Sequence, residues 1–175
     1  MRGQLRWLLV LSPVFLAALG YVGSIQATPA SGFAASTISK GRLEEFDVNH
    51  HLVKPADDTS KRRVWTSQQR TKGPSDLYVQ SNVWQVGGTT GWHTHPGHSL
   101  VTVTAGAITN YDADDPTCTG QVYTVGMTFV DHGGDHAHLV RNEGFVVATT
   151  TAVQLIPADA IRRVDVVEGN AACPF

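Results

Sequence analysis

Six of the eight histidines in this 175-residue chain fall between positions 93 and 138. His93-Thr94-His95 sets two imidazoles at i and i+2, the spacing that turns both to one face of a strand. Side chains so placed start about 7 Å apart at the backbone and can converge on one ion, with each nitrogen about 2.1 Å from it. Pro96-Gly97 then turns the chain. A second group, His132, His136 and His138, follows some forty residues later, and His136 and His138 again share parity. Neutral imidazoles grouped this way point to a divalent metal; as single residues they would serve equally well as hydrogen-bonded core histidines.

Such rings need a rigid frame, and the frame reads as β. Residues 77–86 carry β-formers at strand spacing and stop at Gly87-Gly88. Further strands are expected at 100–104, 107–111, 122–125, 128–130 and 145–155, with turns at Gly106, Asp114-Asp115-Pro116, Gly126, Gly133-Gly134 and Asn142-Glu143-Gly144. No long stretch has helical period, so a sandwich or barrel is predicted. The length suits one domain, and 42% hydrophobic with 16% charged residues is enough to bury a core. A net charge of −2 without a basic run gives no nucleic-acid footprint. Serine-hydrolase, nucleoside-triphosphatase and dinucleotide motifs do not occur.

The first 27 residues read as an export signal: Arg2 and Arg6, an apolar stretch from Trp7 to Val22, then small and polar residues to Ala27. Cleavage after Ala27 is expected, with Ala30 the other site; an uncleaved membrane anchor is the alternative reading. The stretch is short for a span of about 20 residues and has Pro13 in its middle. A secreted or periplasmic body would retain two cysteines, Cys118 and Cys173, able to form one disulfide where disulfides persist. Two free thiols are the alternative. Residues 28 to about 37, rich in Ala, Ser, Thr, Pro and Gly, read as a disordered leader; 38–52 has no clean period and 55–63 reads as a loop.

The run Gly87-x5-His93-x-His95-x3-Ser99-x6-Gly106 resembles the first motif of the cupin superfamily. Gly126-x5-His132-x-Gly134-x3-His138-x3-Asn142 is similar to the second. The segments Gly91 to Gly97, Asp114 to Cys118 and Cys173-Pro174-Phe175 also resemble small exported bacterial cupin-domain proteins. The resemblance implies an all-β fold, a single cupin jelly-roll barrel of two antiparallel sheets with a metal in its mouth. It gives a layout of signal at 1–27, leader and poorly patterned segment at 28–63, barrel at 64–168 and tail at 169–175.

Two departures matter. Ser99 stands where the first motif usually has a glutamate ligand, and His132 replaces the proline of the second, with one extra residue before His138. The resemblance then leaves His93, His95 and His138 as a three-histidine set, with His98 or His136 as candidates for a further nitrogen. A site without its glutamate is expected to carry one more positive charge. The ion would be iron, manganese, zinc or nickel. The expected partner is a small-molecule ligand or substrate, with no nucleic acid and no membrane once the signal is removed, and with homodimerisation open. If the protein is an enzyme, the resemblance implies a metal-dependent dioxygenase or isomerase; the other class is a non-enzymatic ligand-binding barrel. No catalytic residue is identified. His50-His51 reads as surface, Asp112, Asp114 and Asp115 as a turn in preference to a calcium loop, and Arg162-Arg163 with Asp165 as an edge-capping charge group.

Overall fold

The structure, a computed structural model, describes residues 28–52, 65–167 and 169–175. The expected export signal and the polar 55–63 stretch lie outside the described residues. Among those described, the strands are β1 (Ser31–Leu43), β2 (Asp47–Leu52), β3 (Trp65–Arg70), β4 (Ser75–Thr89), β5 (His93–Thr94), β6 (Ser99–Ala105), β7 (Ala107–Asp112), β8 (Gln121–Thr124), β9 (Thr128–Asp131), β10 (His138–Arg141), β11 (Ala148–Pro157) and β12 (Val164–Asp165). None of the described residues forms a helix long and apolar enough to cross a membrane.

Antiparallel pairing assembles two five-stranded layers. One runs β1, β4, β11, β6, β9 and the other β12, β5, β10, β7, β8. The far end of β4 joins them at a corner, where Thr89 pairs Arg141 of β10. This is an all-β jelly-roll barrel. Period-2 patterning builds it: Ser99, Val101 and Val103 of β6 point inward, while Leu100 and Thr104 face solvent. The core between the layers takes Trp84, Val101, Val103, Phe129, Ala148 and Ala152 from the first and Ile108 and Val140 from the second. A separate β2–β3 ribbon carries His50 and His51, with His51 exposed as expected.

Two expectations need correction. Residues 31–37, read as part of a disordered leader, begin β1, which pairs with β4 from Ser31↔Thr89 to Leu43↔Ser75. Small polar side chains hide such a strand, because its outward positions need no apolar residues and the backbone ladder supplies the hydrogen bonds. Phe33 anchors it, its ring 4.9 Å from that of Trp84. Further along, Lys40 and Arg42 converge on the buried Asp76 of β4, at 3.0 and 2.6 Å. The strand expected at 145–155 starts instead at Ala148, and Phe145 is 97% exposed. Asn142 explains this: its side chain accepts from Gly144 N and donates to Val146 O, which folds 142–147 into a turn that apolar content alone does not reveal.

Candidate metal centre

The first histidine pair is set by β5, a two-residue strand held between β12 and β10. Gly91 lets the chain approach: its φ is +67°, and a Cβ there would collide with the Thr28 carbonyl. Trp92, 2% exposed, seats the segment in a second apolar cluster with Tyr111 and Leu139. The C-terminal tail closes over that cluster. Cys118 and Cys173 form a disulfide within it, Gly169 lies against the Trp92 indole, and Asn170 donates to the carbonyls of Asp112 and Asp115. Arg141 lies over the ring of Phe175, 4.1 Å away.

His138 opens β10 and pairs directly with His93. The ligating atoms of His93, His95 and His138 all lie within 4.8 Å of one another. Each ring has its Nδ1 committed to an acceptor: His93 to Gly91 O at 2.9 Å, His95 to Arg162 O at 2.5 Å, His138 to Asp131 Oδ1 at 3.2 Å. Carbonyl and carboxylate oxygens cannot donate, so each Nδ1 carries a proton and each Nε2 is turned to the shared space between the rings. The Nε2 atoms of His93 and His138 face each other at 3.2 Å. Two lone pairs at that distance repel unless a proton or a metal cation lies between them. Two nitrogens each about 2.1 Å from one ion stand roughly 3.0–3.4 Å apart, so the spacing suits a divalent metal. Burial, then the nearby His138 and Arg163, lower the His93 pKa to about 2, and burial lowers that of His95. Both rings stay neutral.

A residue that sequence reading missed completes the site. Asp131, at the end of β9, lies opposite Ser99 in the β6–β9 ladder and is 4% exposed. Its carboxylate accepts from Ser99 Oγ at 3.0 Å and Gly133 N at 3.1 Å, holds His138 Nδ1, and lies 3.5 Å from His95 Nε2. Burial works to raise its pKa, but the hydrogen bond to His138 leads a set of contacts that bring it down to about 2. The expectation of an uncompensated positive site is therefore corrected: the negative charge is present, delivered one strand away from the motif position. The available signal was parity, since Asp131 follows the inward Phe129 by two residues.

The other candidates lie elsewhere. His98 turns outward, its Nε2 3.5 Å from the Gln69 amide of β3. His136 sits near Asp112 (3.4 Å) and Asp114 (3.7 Å), with the His132 ring 5.3 Å away. Asp115 shapes a turn by accepting from the backbone of Thr117 and Thr119. Arg163 donates to Asp165 and Thr90 O, tying β12 to the β4–β5 connection.

The three histidines border a cavity of about 120 Å3 between the sheets. Its walls are largely apolar, with Phe33, Trp84 and Phe129 among them, and Gln154 and Arg162 also line it. Burial lowers the Arg162 pKa, though a guanidinium stays charged.

An antiparallel barrel with histidines from two such segments gathered between its sheets is a cupin-type fold. The solved structures it is similar to include an oxalate oxidase (19% identity over 47% of this chain and 46% of that one, TM-score 0.40). A predicted oxalate decarboxylase from Thermotoga maritima (16%, 49% and 83%, 0.39) and a DMSP lyase structure (18%, 51% and 44%, 0.43) are similar to the same degree. The matched part is less than half of the oxalate oxidase chain, and matches at this level say nothing about reaction or substrate. No protein-family model matches the chain, and no curated protein does.

Proposed function

We propose that this is an exported cupin barrel that binds one divalent metal ion through His93, His95 and His138 and presents it to a small organic molecule in the adjoining cavity. The observation that carries the reading is the convergence of three Nε2 atoms whose Nδ1 partners are all fixed, a donor set suited to a divalent cation. Bound there, a first-row ion would supply Lewis-acid charge and open coordination positions. The protein's own part is to hold the rings: Gly91 O and Arg162 O orient the β5 pair, and Asp131 orients His138 and offsets the ion's charge. Apolar walls limit water around the site.

Export through a cleaved signal at 1–27 fits a body whose two cysteines are joined. N-terminal sequencing of protein from the extracytoplasmic fraction checks it, and a chain beginning at Met1 in the membrane pellet would establish an anchor. Metal analysis of untagged protein tests the centre. About one ion per chain is expected, with strong loss in His93→Ala and His138→Ala; unchanged stoichiometry in both would remove these residues as ligands.

A further inference from the structure

The cavity beside the histidines has a polar floor whose hydrogen-bond directions can be followed atom by atom. On the first sheet, Gln154, Ser99 and Asp131 form one inward cross-strand row, since Gln154 pairs Ser99 across β11–β6 and Ser99 pairs Asp131 across β6–β9. The Ser99 hydroxyl donates to Asp131 Oδ2, 3.0 Å away. The Ser99 oxygen is then left as acceptor for the Gln154 amide, whose Nε2 lies 3.3 Å away. This orders the glutamine: its nitrogen faces the serine and its Oε1 is turned off the chain. Gln154 is 3% exposed, and Oε1 has no hydrogen-bond partner among the described residues. A buried carbonyl oxygen without a donor is destabilising and calls for one.

Two other lining residues complement it. Trp84, 3% exposed, has an indole Nε1–H without an acceptor among the described residues. Arg162, partly buried, forms no ion pair among the described residues and lies over the ring of Tyr78, the β4 residue that pairs Gln154. The pocket thus lacks a hydrogen-bond donor at Gln154, an acceptor at Trp84 and an anion at Arg162, between aromatic and aliphatic walls. A cavity of about 150 Å3 accommodates benzene, so 120 Å3 suits about five or six non-hydrogen atoms.

We propose that the cavity is a recognition site for small hydroxylated organic acids, with the carboxylate drawn by Arg162 and the bound metal and a hydroxyl donating to Gln154 Oε1. The assignment rests on the metal-binding reading for one of the carboxylate's two anchors, while the hydroxyl selection belongs to Gln154 alone. Discrimination against the matching acid without a hydroxyl follows, because that acid leaves the glutamine oxygen buried and unpaired.

The probes are 3-hydroxypropionate and propionate, titrated calorimetrically into zinc-loaded protein and into chelator-treated protein. Wild-type zinc protein is expected to bind the hydroxy acid about tenfold more tightly. Gln154→Leu should bring the ratio to about one while leaving propionate affinity within about twofold, an internal control that the pocket is intact. Arg162→Gln should weaken both acids by about tenfold and keep the ratio. Retention of the preference in Gln154→Leu would assign the hydroxyl to the metal and overturn the proposal, as would equal affinities in wild type or an Arg162→Gln variant that binds both acids normally. Protein that takes up no zinc yet separates the two acids through Gln154 would sink the metal reading and keep this one. Zinc-loaded protein that binds neither acid would do the reverse.

Discussion

At Ser99 a short hydroxyl stands where the motif's carboxylate would be, and across the ladder Asp131 returns the charge. The exchange alters what the carboxylate does. With both oxygens engaged by Ser99, Gly133 and His138, Asp131 orients a ring and compensates charge. Asp131→Asn keeps the shape and removes the charge, and loss of such an orienting partner typically costs 10–100-fold in metal affinity. That drop is the expected result of zinc titration, together with a changed visible spectrum of the cobalt-loaded protein. Ser99→Glu alone should also weaken metal, because it sets a second buried carboxylate against the first, and Asp131→Ser in the same chain should restore it. Asp131→Asn with wild-type affinity would end the orienting role. The His93–His95 pair was legible from spacing and His138 from the resemblance to the second motif, whereas Asp131 was not legible, because cross-strand register is written in no single segment of sequence.

Among the elements, the tail and β1 are the two whose roles composition concealed. Pairing of the only two cysteines was readable, but what the bridge holds was not. It closes residues 118–173 around Trp92, the neighbour of His93, and packs beside Val166. Restricting a loop of that length in the unfolded chain contributes about 4 kcal/mol in the loop-entropy model. Cys118→Ser with Cys173→Ser is therefore expected to lower the melting temperature by roughly 10 °C and to weaken metal binding as Trp92 loosens. Metal affinity equal to wild type at 20 °C would show that β5 is held without the tail. For β1 the lock is Asp76, which Arg42 foremost, then Asp159 N and Lys40, hold well below the usual carboxylate range. A carboxyl whose folded pKa is depressed contributes stability in full above its ordinary value near 3.8, and that contribution drains away as pH falls below it. Amide exchange along residues 31–43 should therefore accelerate as pH drops below about 4. Asp76→Asn should exchange fast at neutral pH already and show no acid step beyond the ordinary chemical rate.

Over the whole molecule, the sequence conveyed a β-barrel because β-forming runs recur between Gly, Pro and Asn turn residues; it could not convey closure, which depends on β1, β5, β10 and β12, too short or too polar to register. The three histidines lie where closure occurs. His93 and His138 come from the second sheet, and Asp131 of the first holds His138 Nδ1, so this contact ties the layers together. Without a metal ion, folding buries neutral His93 and His95, whose pKa values sit below the 6.5 of an unfolded histidine. Their unfolded forms bind protons that the folded ones refuse, so stability is full above pH 6.5 and falls as pH drops below it. Metal adds a second linkage of the same sign, because protons compete for the same nitrogens. At free metal about 1,000 times Kd the ion adds about 4 kcal/mol, on the order of 10 °C in melting temperature for a domain of this size. Thermal melts of chelated and zinc-loaded protein from pH 8 to pH 5 should therefore diverge at high pH and converge at low pH, with both curves descending. A gap that persists unchanged at pH 5 would place the ion on ligands other than these histidines.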